Sequence, residues 1–306
     1  MNVLPIGSWV AVAVDWIKAN LDGLLHVIST VVSFLVDGLS FLLLMPWFYV
    51  VIIIAALIAW LVRSWRLAIG TVISFGLIVA MGLWVPAMQT LALVLVAGAV
   101  AVVIAIPLGI WSARNATVRA VLKPVLDFMQ TMPAFVYLIP AIVFFSIGVV
   151  PGLVATVIFA LPPGVRFTEL GIRGVDSETV EAGQSFGATP GQILRGIQLP
   201  LAMPTILAGV NQVIMLSLSM VVIAGMVGAG GLGAPIVQAL SRIDVGLGFE
   251  AGLAVVILAI LLDRLTASLG TRRRPRRLHK PSARVRAAEE NSPANAEAEP
   301  APAAAV

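Results

Sequence analysis

Apolar residues run along this chain in long blocks, with polar residues gathered at their edges. The first block, residues 8–38, is amphipathic: Trp9, Val12, Ala13, Trp16 and Ile17 recur at helical spacing, with Asp15, Lys18 and Asp22 interposed. That pattern predicts one helix or two, either lying in a membrane interface or packed on the rest of the protein. Seven more uniform blocks follow, at about 41–62, 67–84, 89–112, two within 128–165, 203–227 and 247–268. Two of the uncharged stretches are long, with 47 residues between Arg66 and Arg114 and 46 between Arg195 and Arg242. A membrane-spanning helix needs about 20 apolar residues, so each block reads as one span. The pair within 128–165 divides near Gly148 to Gly152, around Pro151.

Composition agrees. Of 306 residues, 60% are hydrophobic and 11% charged, and mean hydropathy is +1.05. Soluble domains run at roughly 45–50% apolar and about 25% charged. The fold class expected is an all-α polytopic membrane protein of about seven transmembrane helices. The chain has no Cys, which excludes disulfides, thiolate metal sites and cysteine nucleophiles. Its two histidines, His26 and His279, lie outside the uniform apolar blocks, against a His-based metal centre.

Charge sets the expected orientation. With the N-terminus outside, 17 of the 19 Lys and Arg residues fall in cytoplasmic loops or the tail, leaving Lys18 and Arg242 outside. The basic pI of about 10.1 therefore reads as membrane topology rather than a nucleic-acid surface. From Gly270 onward the pattern changes. Residues 272–286 carry eight Lys or Arg, and 287–306 are mostly Ala, Pro, Glu and Asn. Residues 271–306 are expected to be a disordered cytoplasmic tail, which either holds the topology or touches anionic membrane lipids.

Few residues suggest chemistry. No G-x-x-x-x-G-K-[ST] loop occurs, so the chain offers no P-loop of its own. Gly228-Ala-Gly230-Gly231-Leu-Gly233 fits G-x-G-x-x-G, but it follows a membrane span rather than a strand. It is expected to be a flexible break where backbones approach closely. Charges sit at the ends of the spans, as with Arg166, Glu169, Asp263 and Arg264. No midplane charge suggests ion coupling.

The loop at 172–202 is unusual because its own residues order it. Asp176 or Ser177 can cap a short helix with Glu178 and Glu181 in its first turns, and Gly187 can end it. Thr189 can then cap a second, with Pro190 at its first position, running to about Ile197, where Leu199-Pro200 closes the unit. Such a unit either docks a partner, with Val180, Phe186 and Ile193 as apolar anchors, or packs on itself as a connector.

Glu181-Ala182-Gly183, Gly187 and Ile197-Gln198-Leu199-Pro200 closely resemble the EAA signature, E-A-A-x3-G-x9-I-x-L-P, of the membrane subunits of bacterial ABC importers. Residues 126–140, 159–163, 170–173, 201–212 and 215–233 resemble the glycine betaine/proline (quaternary amine) permease group. The resemblance covers about 88–270, and departs at Gly183, where the signature usually has Ala, and at Gly191, where this group often has a bulky aromatic.

It implies a type I ABC-importer permease core at 87–270, preceded by an N-terminal amphipathic segment at 1–40 and two accessory spans at 41–86. It also implies a second permease copy, a separate ATPase carrying ATP and Mg, and an extracytoplasmic substrate-binding protein. No cofactor belongs to this chain, and the ATPase, not the permease, is the enzyme. Glu181, Ala182, Gly183, Phe186 and Gly187 would meet the ATPase, with Ile197, Leu199 and Pro200 fixing the loop to the next span. Candidates for the translocation path are Phe135, Tyr137, Trp111, Asn211, Gln212 and Ser217. The aromatic ones also read as packing or interfacial residues.

Overall fold

A computed structural model describes residues 6–271, all organised around helices. The expected tail lies outside the described residues. The amphipathic block is one helix, α1 (Ile6–Leu44), with a non-helical residue at Leu21. Trp9, Val12 and Trp16 are exposed. Beyond the kink, Val32 and Val36 pack with Val96, Ala97, Val150 and Leu153. The C-terminal half of α1 is thus a packed element, and the Met45-Pro46 break moves the start of the first expected span back to Phe48.

Helices α2 (Phe48–Val62) and α3 (Trp65–Ala80) form a hairpin in which Ser64 caps α3. At 15 and 16 residues they rise only about 22–24 Å, short of a hydrocarbon core of about 30 Å. Helix α4 (Trp84–Arg114) is 31 residues long and carries Pro107 inside.

The region expected to hold the fourth span is a bent pair. Helix α5 (Ala116–Thr131), capped by Asn115, and α6 (Ala134–Phe145) meet at 98° across Pro133. The physical cause is local. Pro133 has no N–H, so the carbonyl of Met129 loses its usual i+4 donor. The Tyr137 hydroxyl donates to that carbonyl instead. Helix α6 has 12 residues, about 18 Å, so only the pair together has the length of a span.

Helix α7 (Val149–Arg173) follows a tight turn in which Ser146 and Gly148 have positive φ. Two short helices, α8 (Ser177–Ser185) and α9 (Pro190–Ile193), lead through a π turn (Leu194–Gln198) into α10 (Leu199–Ala224). The expected break at Leu199-Pro200 is absent. Pro200 follows the π turn directly, where the Leu199 N–H donates to Leu194 O, five residues back, and the widened turn carries the helix through the proline from 190 to 224. A short helix α11 (Gly233–Arg242), unanticipated in the sequence, precedes α12 (Val245–Thr271).

Helix α7 lies at the centre, between α10 and α4. Small residues allow this closeness: a Cβ on Gly164 would stand 2.7 Å from the Cβ of Ala105, and one on Gly209 would stand 2.5 Å from the Cβ of Phe167. Among the described residues the largest apolar cluster joins α2, α3, α4, α10 and α12 through Ile52, Phe75, Met88, Val221 and Leu258. Among the described residues, five helices are long and apolar enough to cross a membrane, α1, α4, α7, the α9–α10 rod and α12, or six if the bent pair counts as one span.

Candidate functional site

The loop between α7 and α10 is built from two interlocked caps. Asp176 accepts the Glu178 N–H at 3.2 Å and starts α8. Gly187, at φ +79°, ends it. Its N–H donates to Gln184 O at 2.8 Å, and the next N–H, of Ala188, donates to Gly183 O at 3.1 Å. Thr189 and Gln192 form a capping box: the Thr189 N–H donates to Gln192 Oε1 at 2.7 Å and Thr189 Oγ1 accepts the Gln192 N–H at 3.4 Å. Both ends of the turn between the helices are thereby tied by hydrogen bonds within the loop itself.

Glu181, Ala182, Phe186 and Gly187 are exposed, Phe186 to 91%. Ala182 and Phe186 stand four residues apart and share a helical face. Of the three expected anchors only Phe186 projects freely. Val180 is half-buried, and Ile193 is buried at the junction with α10 rather than presented outward. Ile193 and Leu194 turn inward, and Leu194 packs with Ile172, Ala202 and Ile206. This roots the loop in α7 and α10. Gly183 and Ile197 are half-buried against each other.

The candidates for the path divide by exposure. Phe135, Trp111 and Gln212 present surface. Tyr137 is buried, its ring edge-on to Phe159 at 6.3 Å and its hydroxyl engaged at the α5–α6 elbow. Ser217 is buried, and its Oγ donates to Val213 O of its own helix at 2.8 Å. Asn211 donates from Nδ2 to Asp263 Oδ1 on α12 at 3.0 Å and accepts from Thr266 Oγ1. Tyr137 and Asn211 therefore tie helices to one another, and the Ser217 hydroxyl is engaged within its own helix.

The glycine-rich stretch after α10 is a compact knot. A Cβ on Gly225 would stand 2.4 Å from the Cα of Gly233. Two adjacent residues of α4 grip the knot: the Gly231 N–H donates to Gln89 Oε1 at 3.2 Å, and the Leu232 N–H donates to Thr90 Oγ1 at 2.7 Å. The close approach expected for these glycines is present, and the stretch is tied rather than loose. The role of Gln89 and Thr90 was missed in the sequence, although they are the two hydrogen-bonding side chains in an otherwise apolar run from Val85 to Ile110. Also missed was the bond from Ser112 Oγ on α4 to Glu169 Oε2 on α7, at 2.8 Å.

Residues 105–275 match the family described as the binding-protein-dependent transport system inner membrane component. The chain is 48% identical over 275 residues to the glycine betaine/proline betaine transport system permease protein ProW of Escherichia coli (strain K12), covering 90% of this chain and 78% of the relative. It is 48% identical over 277 residues to the glycine betaine transport system permease protein OpuAB of Bacillus subtilis (strain 168), covering 89% and 97%. It is 50% identical over 268 residues to the glycine betaine/carnitine transport permease protein GbuB of Listeria monocytogenes serotype 1/2a (strain 10403S), covering 86% and 94%. Among solved structures, an inward-facing form of the MetNI methionine ABC transporter superposes with a TM-score of 0.57 at 25% identity, over 61% of this chain and 94% of that one. The all-helical core, the capped loop ahead of α10 and these likenesses agree: this chain belongs to the inner-membrane permease components of binding-protein-dependent ABC importers.

Proposed function

We propose that this chain is the permease subunit of an ATP-driven importer for glycine betaine and related quaternary amines, such as proline betaine or choline. The observation that carries the reading is the capped loop at 172–202, which leaves Glu181, Ala182 and Phe186 exposed while rooting itself in α7 and α10. The substrate class follows from the named substrates of the relatives at 48–50% identity. The chain supplies no P-loop, so ATP and Mg belong to a separate ATPase, and the loop is its contact. An extracytoplasmic binding protein delivers the solute, and two copies of the permease enclose its path.

The geometry suits force transmission. Helix α9 passes into α10 through the π turn without a break, so a displacement of α9 reaches the span through helix rather than slack chain. Closure of an ATPase dimer would draw two such loops together and rock the helices between access states. Orientation with the N-terminus outside and the C-terminus in the cytoplasm puts the loop on the ATPase side.

The test is purification of the native complex, with the co-purifying chains identified. An ATPase retained by wild type and lost from Glu181→Lys, with betaine uptake lost at equal membrane abundance, is the expected result. Betaine transport by the chain alone in liposomes without ATP would overturn the reading.

A further inference from the structure

We propose that the cavity between α5 and the last two turns of α7 is an anion site that takes a phosphate group. The cavity measures about 670 Å³ and is lined by Arg119, Lys123, Arg166 and Arg173, with one carboxylate, Glu169, and the apolar Leu126 and Leu170. Two of the four cations have partners: Arg166 with Asp127, and Arg173 with Glu169 at 3.5 Å. The second oxygen of Glu169 already accepts from Ser112 at 2.8 Å. The side chains of Arg119 and Lys123, one helical turn apart, make no ion pair or hydrogen bond among the described residues. Two positive charges are therefore left over in one cavity, and Arg119 is half-buried there.

A guanidinium withdrawn from water without an anion is costly, and its planar fork matches a phosphate bidentately. Arg119, with Lys123 as a point charge beside it, forms the half of a phosphate site that the chain itself contributes. Two sources offer such a group, a phospholipid headgroup and a soluble phosphate. The 98° bend turns α5 away from the line of α6. Its Val121, Val125 and Phe128 are exposed next to the basic cavity, and Leu170 at the rim is also exposed. That pairing of charge with open apolar surface suits an amphiphile at the membrane face. The site concerns α5 and α7 alone and holds whichever solute is transported.

The test uses the full-length permease, purified in a neutral detergent, and native mass spectrometry with two probes, phosphatidylglycerol and inorganic phosphate. Arg119→Gln with Lys123→Gln is expected to weaken phosphatidylglycerol retention by about 25-fold, since each basic residue near an anionic headgroup contributes roughly a factor of five. Arg119→Lys is expected to keep most of it, and Arg242→Gln, on α11, all of it. Retention of phosphatidylglycerol alone assigns the site to a lipid headgroup; retention of phosphate with equal charge dependence assigns it to a soluble anion. Lys123 is exposed, so Lys123→Gln alone preserves folding and is expected to cost about fivefold. If wild type holds neither probe better than the double variant and Lys123→Gln does, no anion site exists.

Discussion

A Cβ placed on Gly183 would stand 2.7 Å from Cδ1 of Ile197, so the C-terminal half of α8 meets the π turn at this pair. The obstructing atom is the far end of a flexible, half-buried side chain. Gly183→Ala therefore sets a small repulsion against a gain of up to about 1 kcal/mol in helix propensity. The expected outcome is a melting temperature within a few degrees of wild type and uptake within about twofold. Gly183→Phe has no such escape and is expected to push α8 off the π turn. Uptake would then fall at least about tenfold, because docking needs the loop in one shape, while membrane abundance holds. Equal uptake by both variants would show that the loop's seat on Ile197 has no part in transport.

The caps of that loop were legible because capping is a short-range affair. The first cap at Asp176 or Ser177, the stop at Gly187 and the second cap at Thr189 are each read from three or four consecutive residues; Asp176 is the first cap found, and Gln192 completes a box with Thr189 that the sequence reading did not name. The apolar blocks were legible for the same reason. The elbow between α5 and α6 was not, because the uncharged run begins at Phe128, so the last turn of amphipathic α5 reads as part of the span that follows, and hydropathy does not register a change of direction at Pro133. Nor was the continuity from α9 to α10: Leu199-Pro200 reads as the close of the unit, but a π turn just before it carries the helix through the proline, and a π turn has no signal in residue type or spacing. Asn211 and Ser217 were singled out as polar residues in an apolar span. Their partners lie on another helix in one case and on the same helix in the other, and spacing does not tell the two apart.

Gly225 and Gly233 are expected to be intolerant. The nearest atoms to an added Cβ are backbone, 2.4 Å from Gly225 and 2.6 Å from Gly233, and backbone cannot rotate aside. Gly225→Ala or Gly233→Ala must open the knot held by Gln89 and Thr90, at a cost of about 1–3 kcal/mol or more. Gly252→Ala on α12, with nothing within 4 Å, is the matched control and is expected to be neutral or slightly stabilising. Thermal unfolding of the three detergent-solubilised variants checks this, and a stable Gly225→Ala would mean the knot yields easily.

The bond from Asn211 to Asp263 pins α10 to α12. Asn211→Leu strands a half-buried carboxylate and is expected to destabilise by about 1–3 kcal/mol. Asp263→Asn keeps an oxygen that accepts from Asn211 Nδ2, so it is expected to remain within about 1 kcal/mol of wild type and to retain ATP-dependent uptake. Uptake measured in the two variants at matched abundance separates a structural clamp from a proton carrier, because a carrier would lose transport on Asp263→Asn.

The elbow offers the most specific prediction. Tyr137 donates to the Met129 carbonyl because Pro133 cannot. Tyr137→Phe removes the hydroxyl and leaves that carbonyl without a donor in an apolar setting, an expected loss of about 1–2 kcal/mol. Pro133→Ala supplies the missing N–H and lets α5 run on toward α6. Combined with Tyr137→Phe, it should recover most of the lost melting temperature. It should not recover uptake if the 98° bend is needed for transport, since the repaired hydrogen bond favours a straight helix. Thermal unfolding and uptake, measured side by side on wild type, the two single variants and the double, distinguish the cases. A double variant no more stable than Tyr137→Phe alone would mean that the hydroxyl does not stand in for the proline's absent donor.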